Sequence, residues 1–91
     1  MAAYEVRFLP SARRDFGALP ARDRARVDAA ILTLAESPRP PRCKKIVGEE
    51  NLYRIRVGMF RVLYRIKDAL LLVVIVRVRH RRDAYRRPFP S

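Results

Sequence analysis

The sequence predicts a small α+β domain in which two N-terminal helices pack against a sheet made of an antiparallel three-strand meander and an N-terminal strand. Three observations carry this expectation. Apolar residues between Val27 and Ala35 recur at helical spacing. The stretch from Leu52 to Arg79 divides into three β-rich runs separated by short breaks. A chain of 91 residues has room for one core and one site, burying roughly 60–65% of the surface its unfolded form exposes. The expectation is therefore a single domain over residues 1–91, with 86–91 as a flexible tail.

The first strand is Tyr4 to Leu9, where Tyr4, Val6 and Phe8 alternate with Glu5, Arg7 and Leu9. Pro10-Ser11 closes it, with Ser11 as N-cap of a short helix through Phe16 and Gly17. A second helix begins near Pro20, whose fixed φ suits a first turn. Val27, Ala30, Ile31, Leu34 and Ala35 line its apolar face, and Arg22, Asp23, Arg24, Arg26 and Asp28 its wet one. It must end by Ser37, because Pro38, Pro40 and Pro41 cannot continue it. Pro38 to Glu50 then reads as a loop, proline-rich at first and basic through Arg42, Lys44 and Lys45. A solvated connector accounts for those cations better than function does.

Three strands follow, Leu52 to Val57, Phe60 to Ile66 and Leu70 to Arg79, broken at Gly58-Met59 and Lys67-Asp68-Ala69. The last is apolar on both faces through Val76, which marks it as an inner strand.

Composition narrows the partners. Twenty-one Lys and Arg against nine Asp and Glu leave a net charge of +12, which opposes compaction and favours polyanions. Nucleic acid comes first, a masking acidic protein second and a membrane surface third. With one cysteine, Cys43, and one histidine, His80, neither a disulfide framework nor a Cys/His zinc site can be assembled. The N-terminus lacks the apolar stretch of a signal peptide, and the longest apolar run, Ala69 to Val76, is far shorter than the ~20 residues of a spanning helix. A cytoplasmic protein with no cofactor, no metal and no membrane partner is expected.

Register makes the charge specific. If Gly58-Met59 is a two-residue turn, Arg56 lies opposite Arg61, Ile55 opposite Val62, and Arg54 opposite Leu63. Tyr53, Ile55, Val57, Phe60, Val62 and Tyr64 then form one apolar face, and Arg54, Arg56, Arg61 and Arg65 emerge on the other. Like charges directly opposite on a sheet are destabilising, and a merely solvated face would mix both signs. Arginine's planar fork suits phosphate oxygens. Whether Arg77 and Arg79 share this face depends on the length of the loop after Ile66, which the sequence leaves open. Beyond the last strand, His80, Tyr85 and the arginines Arg79, Arg81, Arg82, Arg86 and Arg87 crowd together. Singly, each has an ordinary surface or anchoring role.

The run Tyr53-Arg54-Ile55-Arg56-Val57-Gly58-Met59-Phe60-Arg61-Val62-Leu63-Tyr64, followed by His80-Arg81-Arg82-Asp83-Ala84-Tyr85, resembles the RelE family of the RelE/ParE toxin superfamily. The likeness also takes in Leu19-Pro20 and Lys44-Lys45-Ile46-Val47-Gly48. It implies a small helix-flanked sheet that enters the ribosomal A site, touches 16S rRNA and cuts messenger RNA. It also implies a chain that is monomeric alone and hetero-oligomeric with a RelB-like antitoxin. By position, Arg54 and Arg56 match basic residues that hold the RNA backbone, Arg61 the arginine at the scissile phosphate, Arg81 or His80 the group at the leaving oxygen, and Tyr85 the tyrosine that activates the attacking hydroxyl. Arg65, Lys44, Lys45 and Arg82 complete the RNA-binding candidates. Met59 departs from a frequent acidic residue and Arg79 from a frequent glycine.

The chemistry implied is attack by the adjacent 2′-hydroxyl, leaving a cyclic phosphate and a free 5′-hydroxyl. A base, a charge clamp and an acid are required. Arginine serves as clamp, but it stays protonated in proteins and so has no free site to accept a proton as a base. A phenol, ionising near pH ~10 alone, is drawn toward phenolate by surrounding positive charge, and histidine is the other natural acid or base. Two alternatives stand beside this one: a ParE-like inhibitor of DNA gyrase, and a catalytically degenerate module that only binds RNA.

Overall fold

Strand β1 (Glu5–Phe8) leads into helix α1 (Pro10–Gly17) and helix α2 (Ala21–Glu36) in this computed structural model, which describes residues 3–82. Then come β2 (Lys44–Lys45), β3 (Leu52–Val57), β4 (Phe60–Lys67), one 3₁₀ turn (Asp68–Leu70) and β5 (Leu72–His80). They form one sheet in the order β1-β5-β4-β3-β2. The meander β3-β4-β5 is antiparallel throughout, and β1 lies parallel beside β5. The α+β expectation holds, with β5 an inner strand.

Val27, Ile31 and Leu34 of α2 and Ala12 of α1 cover one face, meeting Tyr53, Ile55, Val62, Tyr64, Ile66, Val73, Ile75 and Val78 in the main core. At about 1.5–3 kcal/mol for each fully buried large aliphatic side chain, this layer supplies most of the drive to fold. The opposite face carries a second cluster, Leu52, Leu63 and Val76, flanked by Leu9 and Ile46.

The hairpin register is the expected one. Val57 pairs with Phe60, Arg56 with Arg61, Ile55 with Val62 and Arg54 with Leu63. Gly58 has φ +60°, while Met59 is not among the positive-φ residues. That combination is the type II′ turn, whose twist matches the strands and whose first central position calls for glycine.

Three local expectations are corrected. Ser11 does not cap α1: Leu9 is the N-cap without a side-chain bond, Pro10 takes the first turn, and Ser11 Oγ donates to the Val76 carbonyl at 3.1 Å. The segment 38–50 is not all loop, since Lys44 and Lys45 pair with Arg54 and Tyr53 as a short edge strand. β5 begins at Leu72 rather than Leu70, because the 3₁₀ turn and a left-handed Leu71 (φ 50°) take up the connection.

Ser11's actual bond explains where α1 sits. β1 pairs with β5 only as far as Ile75, so the same edge of β5 would expose backbone groups from Val76 onward. α1 covers it: Ser11 reaches the Val76 carbonyl, and the Asp15 carboxylate accepts the Val78 N–H at 3.0 Å and the Arg77 guanidinium at 2.7 and 3.1 Å.

Candidate nucleic-acid interface

The site is built by a slip in β5. From Lys67↔Leu72 to Tyr64↔Ile75 the β4–β5 pairing runs in step, but Leu63 pairs with Arg77 instead of Val76. The extra residue is a β-bulge, which reverses which residues point where beyond it. Without it, Arg77 and Arg79 would face the main core. With it, Val78 stays in that core, Val76 joins Leu63 on the other side, and Arg79 lies opposite Arg61.

Arg56, Arg61 and Arg79 therefore stand in one row across β3, β4 and β5. Neighbouring strands are about 4.8 Å apart, so the row spans roughly 10 Å. The three strands contain no Asp or Glu. Arg56 is exposed, Arg61 and Arg79 are half-buried, and none of the three meets a carboxylate among the described residues. Arg61 Nη1 reaches only its neighbour's carbonyl, Phe60 O, at 3.4 Å, and its buried Nε finds no acceptor among the described residues. A charged donor left so is costly unless something outside the fold meets it.

Arg54 lies one row along on the same face, opposite Leu63 and beside exposed Lys44, but is 91% buried with its own interactions (9% exposed). Arg65 shares the face too, yet turns away: Nη1 bonds the Glu50 carbonyl and Nη2 pairs with Glu49 at 3.3 Å. Lys45 pairs with Tyr53 and so falls on the helix side. At the end of β5, His80 pairs with Phe60, its ring set edge-on to the phenyl at 5.7 Å, and its Nδ1 accepts the Arg82 N–H at 3.3 Å. This places His80 on the Phe60 side of the sheet, opposite to Arg61. Arg81 and Arg82 are exposed, and the Arg81 N–H donates to Met59 O at 2.8 Å, tying the strand end to the Gly58-Met59 turn. Tyr85 and the tail 86–91 lie outside the described residues.

Sequence reasoning left Arg79 undecided. Its one signal is a phase slip in the apolar pattern, Val73 and Ile75 followed by Val76 and Val78, hidden because residues 69–76 are all apolar. Among the described residues, no three His, Cys, Asp or Glu side chains gather to hold a metal ion, and no helix is long and apolar enough to cross a membrane.

Residues 6–85 match the family described as the ParE toxin of the type II toxin-antitoxin system parDE. The chain belongs to the RelE/ParE superfamily of type II toxins, as a RelE-family member. It is 43% identical over 89 residues to Toxin RelG of Mycobacterium tuberculosis, covering 92% of this chain and 98% of that one. A putative toxin RelE1 of Methanocaldococcus jannaschii is 30% identical over 78 residues, covering 82% and 87%. The toxin–antitoxin complex RelBE2 of Mycobacterium tuberculosis superposes with a TM-score of 0.78 at 39% identity, over 88% of this chain and 93% of that one.

Proposed function

We propose that the protein is an endoribonuclease acting in the cytoplasm on messenger RNA in the ribosomal A site, held in check by a RelB-like antitoxin. The observation that carries this reading is the row Arg56, Arg61 and Arg79, none of which meets a carboxylate among the described residues. A fold that pairs Arg7, Arg39, Arg65 and Arg77 with carboxylates has no structural use for three aligned cations without them. A phosphodiester supplies the missing acceptors, and planar guanidinium forks from adjacent strands can grip its two free oxygens.

In the proposed reaction a base removes the 2′-hydroxyl proton, the 2′-oxygen bonds to phosphorus, and the bond from phosphorus to the 5′-oxygen breaks as that oxygen gains a proton. The products are a 2′,3′-cyclic phosphate and a 5′-hydroxyl. Arg61, central in the row, neutralises the charge growing on the phosphoryl oxygens. Tyr85 is the proposed base. Arg81 rather than His80 is assigned to the leaving oxygen, because the His80 ring packs on Phe60 and its Nδ1 is already an acceptor. Arg54, Lys44 and Arg82 extend the RNA contact.

Induction in a bacterial host with mapping of message 5′ ends tests the reading: new ends within translated codons are expected, absent with Arg61→Ala and slowed with Tyr85→Phe. Intact messages in growth-arrested cells would remove it. Because the matching family description names ParE, a supercoiling assay belongs beside it, and gyrase inhibition without cut message would establish the ParE-like reading instead.

A further inference from the structure

The arginine row does not stop at the edge of β3. β2 pairs only with Tyr53 and Arg54, so the outer edge of β3 from Ile55 to Val57 has no neighbouring strand. Alongside it, between β3 and α2, runs an open groove of about 380 Å³. Arg26 from α2, Arg42 from the segment before β2, and Arg56 from β3 line it; among the described residues no Asp or Glu does. Its floor is made of small residues, among them Ala29, Ala30 and Gly58.

Gly58 is glycine for its φ of +60°. Arg26 lies close above it: a Cβ there would stand 3.1 Å from Arg26 Nη1 and 3.2 Å from Nη2. The guanidinium of Arg26 is thus laid over the turn that carries Arg56 and Arg61. Neither Arg26 nor Arg42 forms an ion pair or side-chain hydrogen bond among the described residues. Gathering Arg26, Arg42 and Arg56 around one groove raises the energy of the empty fold by like-charge repulsion, and an anion lowers it again.

We infer that this groove binds a backbone phosphate of the RNA strand outside the cleaved position, with Arg26 and Arg42 as substrate-positioning residues. The inference rests on the ribonuclease reading. Arg56 belongs both to the groove and to the row, so a strand whose scissile phosphate sits at Arg61 passes Arg56 and reaches Arg26 and Arg42 at the sheet edge. A phosphate suits the groove better than an apolar or helical partner segment, because arginines from three separate elements line it beside small side chains. Arg26 and Arg42 touch no reacting atom in this arrangement; they set where the strand lies.

The test compares the full chain with Arg26→Gln/Arg42→Gln and Arg26→Lys/Arg42→Lys in two assays. The first is single-turnover cleavage of a translated message on ribosomes. The second is fluorescence anisotropy with a labelled single-stranded RNA twelve nucleotides long, its 2′-hydroxyls methylated to block cutting, across a salt series. The glutamine pair is expected to raise the half-saturating concentration about tenfold with the maximal rate unchanged. Loss of that one phosphate contact should also flatten the salt dependence of binding by about 0.7 on a single strand. The lysine pair should restore most of both. Unchanged binding and salt slope in the glutamine pair would overturn the groove assignment while leaving the ribonuclease reading intact. If the parent cuts nothing, the ribonuclease reading fails, and the anisotropy series still decides whether the groove holds RNA.

Discussion

The two ends of the sheet treat arginine in opposite ways. At the end formed by the 3₁₀ turn, Arg39 closes on Asp68 at 2.8 and 3.1 Å, donates to Tyr53 Oη at 3.3 Å and lies over the Tyr53 ring at 5.3 Å. Tyr4 Oη adds a bond to Asp68 at 2.7 Å. Nearby, Tyr64 Oη donates to the Pro38 carbonyl at 2.7 Å, and burial pushes that phenol well above the usual tyrosine range. Every one of these charges works for the fold, pinning the proline segment and the β4–β5 connection to the core. At the end formed by the Gly58-Met59 turn, Arg56, Arg61 and Arg79 line up without a carboxylate among the described residues, and Arg26 and Arg42 line the adjoining groove. The lesson is that a high arginine content does not by itself mark a binding surface. The presence or absence of a partner separates arginines that hold the fold from those presented to a ligand.

Mutations at each end should break that comparison in different ways. The largest effect is expected at Arg61, where Arg61→Ala should slow message cleavage by roughly 10²–10³-fold and leave the melting temperature near that of the parent. Arg65→Ala, on the same strand and face but paired with Glu49, should slow it severalfold at most. Asp15→Ala should cost about 2–3 kcal/mol in chemical denaturation, because it leaves both the Val78 N–H and the Arg77 guanidinium without their acceptor. Arg56→Gln should have the reverse signature, with cleavage reduced about tenfold and stability raised by ~0.5 kcal/mol as the cross-strand repulsion is relieved.

The smallest effect concerns pH. The hydrogen bond from Arg39, and then that from Tyr4, holds the Asp68 carboxyl down at about 2. A carboxyl with a depressed folded-state pKa contributes stability above its unfolded value and loses it as pH falls toward the folded value. Between about pH 4 and pH 2, the parent should therefore lose stability more steeply than Asp68→Asn. Denaturation midpoints measured across that interval check the sign. The effect is modest because the pair is solvent-exposed.

Most of the elements and two of the three arginines of the row were legible in the chain, while the contacts of the paired end were not. The β3–β4 hairpin could be read residue by residue because Gly58 interrupts two alternating runs and leaves one sensible register. α2 could be read because prolines bound it on both sides. The third arginine of the row could not, because the bulge that turns Arg79 onto the face of Arg61 lies in a stretch apolar at nearly every position, where period-2 reasoning has no phase to follow. Ser11 was misread for a related reason: a serine after a strand suits an N-cap, but here the open edge of β5 competes for its hydroxyl and wins. Arg26 and Arg42 were visible only as a wet helix face and a basic connector. What brings them together is the short reach of β2, a tertiary fact without a local sequence signature.

The most direct test of the central claim is a double-mutant cycle on Arg56 and Arg61, read as single-turnover cleavage of a ribosome-bound message. If both guanidinium groups grip one phosphate, the losses in Arg56→Gln and Arg61→Gln will not multiply in the double variant, leaving a coupling of about 0.5 kcal/mol or more. Parental rates in all three variants, or losses that multiply strictly, would contradict a shared phosphate at the arginine row.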